Sequence, residues 1–116
     1  MMFAQIADQA HGFAGRNGGD EFCIALLDRS KDASIDLAQT LCARVASEDF
    51  RSLASRTDLP GVHITVSIGV AHYPMDISTD ERQPTERLLE SADMQMYEAK
   101  NAGRNQVSFS RARLRA

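Results

Sequence analysis

The sequence predicts an α+β fold in which helices pack on a sheet, and three observations carry that prediction. Residues 62–71 alternate strictly, with Val62, Ile64, Val66, Ile68 and Val70 pointing one way and smaller or polar residues the other, which is the period of a strand. Residues 33–47 and 84–101 repeat apolar side chains at three- and four-residue spacings, as a helix with one buried stripe does. Asn17-Gly18 separates two strand-like arms, and both residues tolerate the positive φ that tight hairpins need.

In chain order, a helix remnant precedes Phe13-Ala14-Gly15-Arg16, the first arm of the hairpin. The second arm, residues 22–27, is Phe-Cys-Ile-Ala-Leu-Leu. It is apolar on both faces, so it reads as an interior strand covered above and below. Asp32 is placed to cap the next helix, whose stripe is Ile35, Ala38, Leu41, Cys42 and Val45. Phe50, Leu53 and Ala54 continue a helical rhythm after a break near Ser47, until Asp58-Leu59-Pro60-Gly61 ends it as a turn. The strand at 62–71 follows, then a polar loop from His72 to Gln83. The last helix begins at Pro84 or Thr85 and has the stripe Leu88, Leu89, Ala92, Met96 and Ala99. Gly103 is placed to end it in a left-handed cap. Residues 107–109 suggest a short final strand, and the tail 111–116 is basic and frayed.

Composition bounds the function. The chain has 116 residues, 43% of them apolar and 25% charged, the profile of one small globular domain. No apolar run is long enough to cross a bilayer, and no signal-peptide pattern opens the chain. The net charge is −3, and three arginines (Arg111, Arg113, Arg115) lie in the last six residues, so residues 1–110 carry about −6. So acidic a body argues against a broad nucleic-acid footprint, and three charges on a frayed end stay solvated. Cys23 and Cys42 lack metal-ligand spacing and fall inside predicted elements, as buried reduced thiols would, with a disulfide as the lesser alternative. His11, His63 and His72 share no metal-binding pattern.

Two clusters could carry chemistry. In Gly18-Gly19-Asp20-Glu21, glycines without side chains let a ligand approach the backbone, and adjacent carboxylates suit a hard cation such as Mg²⁺. The plain alternative is an ordinary turn with acidic flanks. Lys100 and Arg104 stand four apart at a helix C-terminus and could reach one anion if the chain stays near helical there. Their plain alternative is to complement the helix dipole.

Taken together these pieces are not independent. Arg16-x-Gly-Gly-Asp-Glu-Phe22 resembles the signature of the GGDEF family, the diguanylate cyclases. Thr65-Val-Ser-Ile-Gly-Val-Ala71 is similar to that family's central strand. Ala92-Asp93, Tyr97, Ala99-Lys100 and Gly103-Arg104-Asn105 resemble its last helix and the turn beyond. The resemblance runs from about Phe3 to Val107 and identifies residues 1–110 as a partial GGDEF domain. It implies a ferredoxin-like, nucleotidyl-cyclase palm with a central mixed antiparallel sheet and flanking helices. It also implies a reaction that joins two GTP into cyclic di-GMP and releases pyrophosphate, for bacterial second-messenger signalling. Two such domains face each other as a homodimer, with two Mg²⁺ or Mn²⁺ ions per site. By the same resemblance Asp20 is a metal ligand and base, and Glu21 is a further acidic metal contact. Gly18 and Gly19 admit the nucleotide, while Lys100 and Arg104 contact its phosphates. Arg16 is read as structural, and Asp93 and Tyr97 as packing or hydrogen-bonding the helix. The implied location is cytoplasmic, as the cytoplasmic part of a larger sensor, with no nucleic acid or membrane bound by the chain itself.

Departures from the family pattern set further expectations. The family places another strand and helix before the signature hairpin, carrying the first metal-binding Asp, a phosphate-steadying Lys and the guanine-reading residues. Residues 1–12 cannot supply them, and Met1–Ala7 resembles the middle of the helix that leads to the hairpin. The missing strand would lie between 22–27 and 62–71, leaving a gap or a new pairing between those two. Asp28, Asp32, Asp76 and Asp80 offer no substitute ligand. The family's Arg-x-x-Asp product-inhibition site is Gln9 and Gly12 here. The isolated chain is therefore expected to have little or no cyclase activity. The alternatives are a degenerate GGDEF-like module that binds nucleotide or protein without turnover, and an unrelated α+β interaction domain.

Overall fold

The computed structural model describes residues 12–18, 21–50 and 61–111, the first of these as backbone only. Among the described residues the order is β1 (Gly12–Gly18), β2 (Glu21–Leu26), α1 (Lys31–Ser47), β3 (Ser67–Val70), α2 (Pro84–Asn101) and β4 (Gln106–Phe109). The expected helix remnant, the helical rhythm at Leu53 and Ala54, the turn at 58–60 and the tail beyond Arg111 lie outside the described residues. The chain divides into two compact units between Ser30 and Lys31.

In the first unit β1 and β2 form an antiparallel pair, from Gly12 opposite Leu26 to Arg16 opposite Phe22. The register then shifts so that Gly18 faces Glu21. One extra residue on β1 makes a β-bulge, which bends the strand and increases its twist. Asn17-Gly18 therefore belongs to β1 and is not the turn, because the bulge lets pairing run on to Gly18. β2 begins and ends one residue earlier than expected. It was expected to be an interior strand, yet among the described residues β1 is its one partner, and Phe22, Ala25 and Leu27 are exposed. A two-stranded ladder supplies no layer for either face.

In the second unit β3 and β4 run parallel, from Ser67 opposite Gln106 to Val70 opposite Phe109. The strand expected at 62–71 is thus only four residues long. Its alternation is real, but β4 starts at Gln106 and offers 62–66 no rung. Residues 62 and 63 instead tie to the end of α1. Val62 N donates to Asp49 Oδ1 at 3.1 Å, and Phe50 N donates to the Val62 carbonyl at 2.7 Å. His63 Nδ1 lies 2.9 Å from the Glu48 carbonyl.

Each face of this parallel pair carries one helix. Ile68, Val70, Val107 and Phe109 pack with Ile35 and Ala38 of α1. The whole predicted stripe of α1 is buried: Ile35, Ala38, Leu41, Cys42 and Val45. Burying each large aliphatic side chain contributes about 1.5–3 kcal/mol. The helix starts at Lys31, so Asp32 lies in its first turn, complementing the dipole rather than capping. Ser30 just before it is of a type favoured at the N-cap.

The other face is nearly bare, and α2 takes advantage of that. A methyl group added at Gly69 would collide with backbone atoms of Ala92, Gln95 and Met96. Glycine is therefore what allows α2 to lie directly on β3. Ser108 Oγ donates to Gln95 Oε1 at 2.7 Å and fixes β4 to the same helix. Ala99 is fully buried, while Leu88, Ala92 and Met96 are half-buried. Leu89 was expected in this stripe but is 45% exposed. It lies about 100° past Leu88 around the helix, outside the arc that β3 covers.

The fold class is the α+β arrangement read from the sequence. In place of one continuous mixed sheet, the described residues form two two-stranded sheets, one antiparallel and one parallel. No strand among the described residues joins them.

Candidate functional site

The acidic cluster belongs to the hairpin. Gly18 is the last residue of β1, and Glu21, half-buried, is the first of β2 directly opposite it. Gly18 brings no side chain to that position. Gly19 and Asp20 lie outside the described residues, between two positions whose pairing is established. A bulge at this point re-aims the strand end, a device found beside functional sites. Glu21 offers the hard oxygen donors that Mg²⁺ prefers.

The basic cluster belongs to the C-terminal end of α2. Lys100 is half-buried in the last turn, and Arg104 is exposed three residues beyond the helix end. Their expected relation, four apart on a continuing helix, does not hold. The chain reverses hand at Gly103, with φ +120°, and stays at positive φ through Arg104 at +64° and Asn105 at +49°. Gly103 N donates to the Lys100 carbonyl at 3.5 Å and Arg104 N to the Ala99 carbonyl at 3.0 Å. That pair of bonds is the Schellman pattern, with Gly103 just past the cap as predicted. Left-handed backbone at non-glycine residues costs roughly 1–2 kcal/mol each. Two contacts oppose that cost. Gln106 Nε2 donates to the Ala102 carbonyl at 3.1 Å and to the Arg104 carbonyl at 3.0 Å. Cys42 Sγ lies beneath, 3.7 Å from Asn105 Oδ1 and 3.6 Å from the Val66 carbonyl. Burial pushes the Cys42 thiol above its ordinary pKa.

The two clusters fall in different units: Glu21 opens β2 in the first, and Lys100 in α2 and Arg104 in the turn beyond it belong to the second. Asp93 and Tyr97, expected to pack against or bond the helix, are both exposed. Arg16 is described only as backbone. Cys42 is buried but Cys23 only partly so, and both are free thiols. His63 is exposed and His72 half-buried, its Nδ1 accepting from Met75 N at 3.4 Å, while His11 lies outside the described residues. Among the described residues no group of three or more His, Cys, Asp or Glu could hold a metal ion.

Two features escaped the sequence reading. Gln106 follows the Gly-Arg-Asn turn, and only the neighbouring Asn, a residue that tolerates left-handed backbone, hinted that the turn continues past glycine. The other is a part-buried ion pair, in which Lys31 Nζ donates to Asp76 Oδ1 at 2.5 Å and to the Ser110 carbonyl at 2.6 Å. Asp76 Oδ2 accepts from His72 N at 2.8 Å. Its partners are 45 residues apart, and no local pattern reports such a contact.

Among the described residues no helix is long and apolar enough to cross a membrane. Comparison with known proteins agrees with the geometry. The chain is similar to the biofilm architecture maintenance protein MbaA of Vibrio cholerae, at 36% identity over 107 residues, covering 90% of this chain and 12% of that protein. It is also similar to diguanylate cyclase A of Treponema denticola, at 31% identity over 101 residues, covering 87% of this chain and 24% of that one. The chain thus spans no more than a quarter of either relative. Among solved structures, the active GGEEF domain of a diguanylate cyclase from Vibrio cholerae superposes with a TM-score of 0.68 at 26% identity. That match covers 96% of this chain and 65% of that one. The family described as diguanylate cyclase, GGDEF domain, matches residues 3–106. With the signature at the bulged hairpin end and nearly the whole chain covered, this protein belongs to the GGDEF family.

Proposed function

We propose that the chain acts as the C-terminal portion of a diguanylate cyclase domain, which condenses two GTP into cyclic di-GMP. Two phosphodiester bonds form as each 3′-hydroxyl attacks the partner nucleotide's α-phosphate, and two pyrophosphates leave. The observation that carries the reading is the sequence Gly18-Gly19-Asp20-Glu21, whose Gly18 and Glu21 pair at a bulged strand end, in a chain matched to the family over residues 3–106. Asp20 and Glu21 would hold Mg²⁺ or Mn²⁺, and their oxygen donors fit such ions. When bound, the metal supplies charge neutralisation at the phosphates and a more acidic 3′-hydroxyl. Asp20 accepts the hydroxyl proton. Gly18 and Gly19 leave room for the nucleotide beside the backbone, and Lys100 and Arg104 balance phosphate charge. A second GGDEF domain supplies the other GTP. The location that fits GTP chemistry is cytoplasmic, within a larger sensor.

The isolated chain is proposed to turn over little or no GTP, because residues 1–12, whose one carboxylate is Asp8, do not resemble the family's strand that carries the first metal-binding Asp. The test is a chimera in which residues 3–106 replace the matching segment of an active diguanylate cyclase, assayed with GTP and Mg²⁺. The chimera is expected to make cyclic di-GMP and to lose that activity on Asp20→Asn. The chain alone is expected to make little. A chimera that folds and binds GTP yet forms no product would overturn the cyclase reading.

A further inference from the structure

We propose that Gln106 is a positioning residue for nucleotide recognition, acting through Arg104. The inference rests on the reading of Arg104 as a phosphate contact. Its starting point is strain at the surface. Asn105 tolerates left-handed backbone and its Oδ1 meets Cys42 Sγ, but Arg104 also holds positive φ and is exposed, so no burial of its side chain explains the conformation. Strained backbone persists where surrounding contacts over-determine it, and such places cluster at functional sites.

The contacts that determine it converge on Gln106. A primary amide carries two hydrogens in one plane, and Gln106 gives both to the turn, to the carbonyls of Ala102 and Arg104. Those carbonyls bracket Gly103 and Arg104, so their separation is fixed at the point where the chain reverses hand. Gln106 is itself the first residue of β4, paired opposite Ser67, so the clamp is anchored in the parallel sheet. From below, Arg104 N is held by the Ala99 carbonyl. The Arg104 backbone is thereby held from both sides, which sets the point at which its side chain leaves the turn. A cation held this way loses less freedom when it meets an anion.

The test is a double-mutant cycle read by calorimetric titration with GTP and Mg²⁺, using the 116-residue chain, Arg104→Ala, Gln106→Met and the double variant. Methionine keeps the length of glutamine and removes both donors. Gln106→Met is expected to weaken binding about five- to tenfold, the loss typical of modest hydrogen bonds. In the Arg104→Ala background the same change is expected to have almost no effect. Gln106→Asn, which keeps the donors on a shorter arm, is expected to recover part of the affinity. An equal effect of Gln106→Met in both backgrounds would mark a structural role only and overturn the proposal. So would full affinity in Gln106→Met alongside weakened binding in Arg104→Ala. Unchanged binding in Arg104→Ala, or none by the parent chain, would instead remove the Arg104 reading and the proposal with it.

Discussion

Lys31 and Asp76 hold two opposite charges largely shielded from water, their side chains 13% and 2% exposed. Such a pair is not strongly stabilising in itself, but removing one partner leaves a buried charge without compensation, at about 3–5 kcal/mol. Asp76→Ala is therefore expected to lower the unfolding free energy by about 3 kcal/mol in urea denaturation. The paired change Lys31→Met with Asp76→Leu is expected to cost clearly less. Cys42 gives a pH prediction. Its folded pKa is raised by burial, so the fold favours the protonated thiol. That contribution is complete below the ordinary thiol value and is lost as pH rises from there through the raised folded value, so stability falls above about pH 8.5. The decline should be shallower in Cys42→Ala, followed by the urea midpoint across pH 8–10.5, a range set around the ordinary thiol pKa of about 8.5.

Between elements, the close approach of α2 to β3 is set by Gly69. A Cβ there meets helix backbone rather than a flexible side-chain end, so Gly69→Ala is expected to cost about 1–3 kcal/mol by overpacking. Past the C-terminus of α2, Gly103→Ala meets only an ordinary van der Waals contact, 3.7 Å from Gln106 Nε2, and its cost is conformational, about 1 kcal/mol. Thermal unfolding of both variants should rank Gly69→Ala as the more damaging. The same elements show what a sequence displays and what it hides. The α1 stripe was legible because helix periodicity states directly which side chains share a face, and each of those five residues is buried. Gly103 was legible because few residues other than glycine suit that position. The length of β3 was not, since a strand extends only as far as its partner, and the partner's start at Gln106 depends on a turn whose left-handed run includes an arginine. Leu89 misled because apolar character does not say where the covering strand ends. The bulge at Asn17 misled because an Asn-Gly pair suits a turn and a bulge alike.

At the scale of the whole molecule, the family was legible from ordered motifs spread over nearly the full chain, and residues 3–106 match it accordingly, while the site residues were legible only as what that resemblance implies. Motif order captures what no single cluster does. Neither an acidic hairpin nor a pair of cations at a helix end identifies a nucleotide site by itself. The side-chain directions were not legible, because Arg104 takes its position from a turn rather than from the helix that precedes it. The central claim is the proposal that the chain binds GTP, with Asp20 and Glu21 proposed to hold Mg²⁺ and Lys100 and Arg104 proposed to meet phosphate. Titration of the chain with GTP in Mg²⁺, beside Asp20→Asn and Arg104→Ala, tests it most directly. Saturable binding by the parent chain, weakened in both variants and reduced when Mg²⁺ is removed by chelation, is the expected result. No binding at millimolar GTP, or binding unchanged by either substitution, would contradict it.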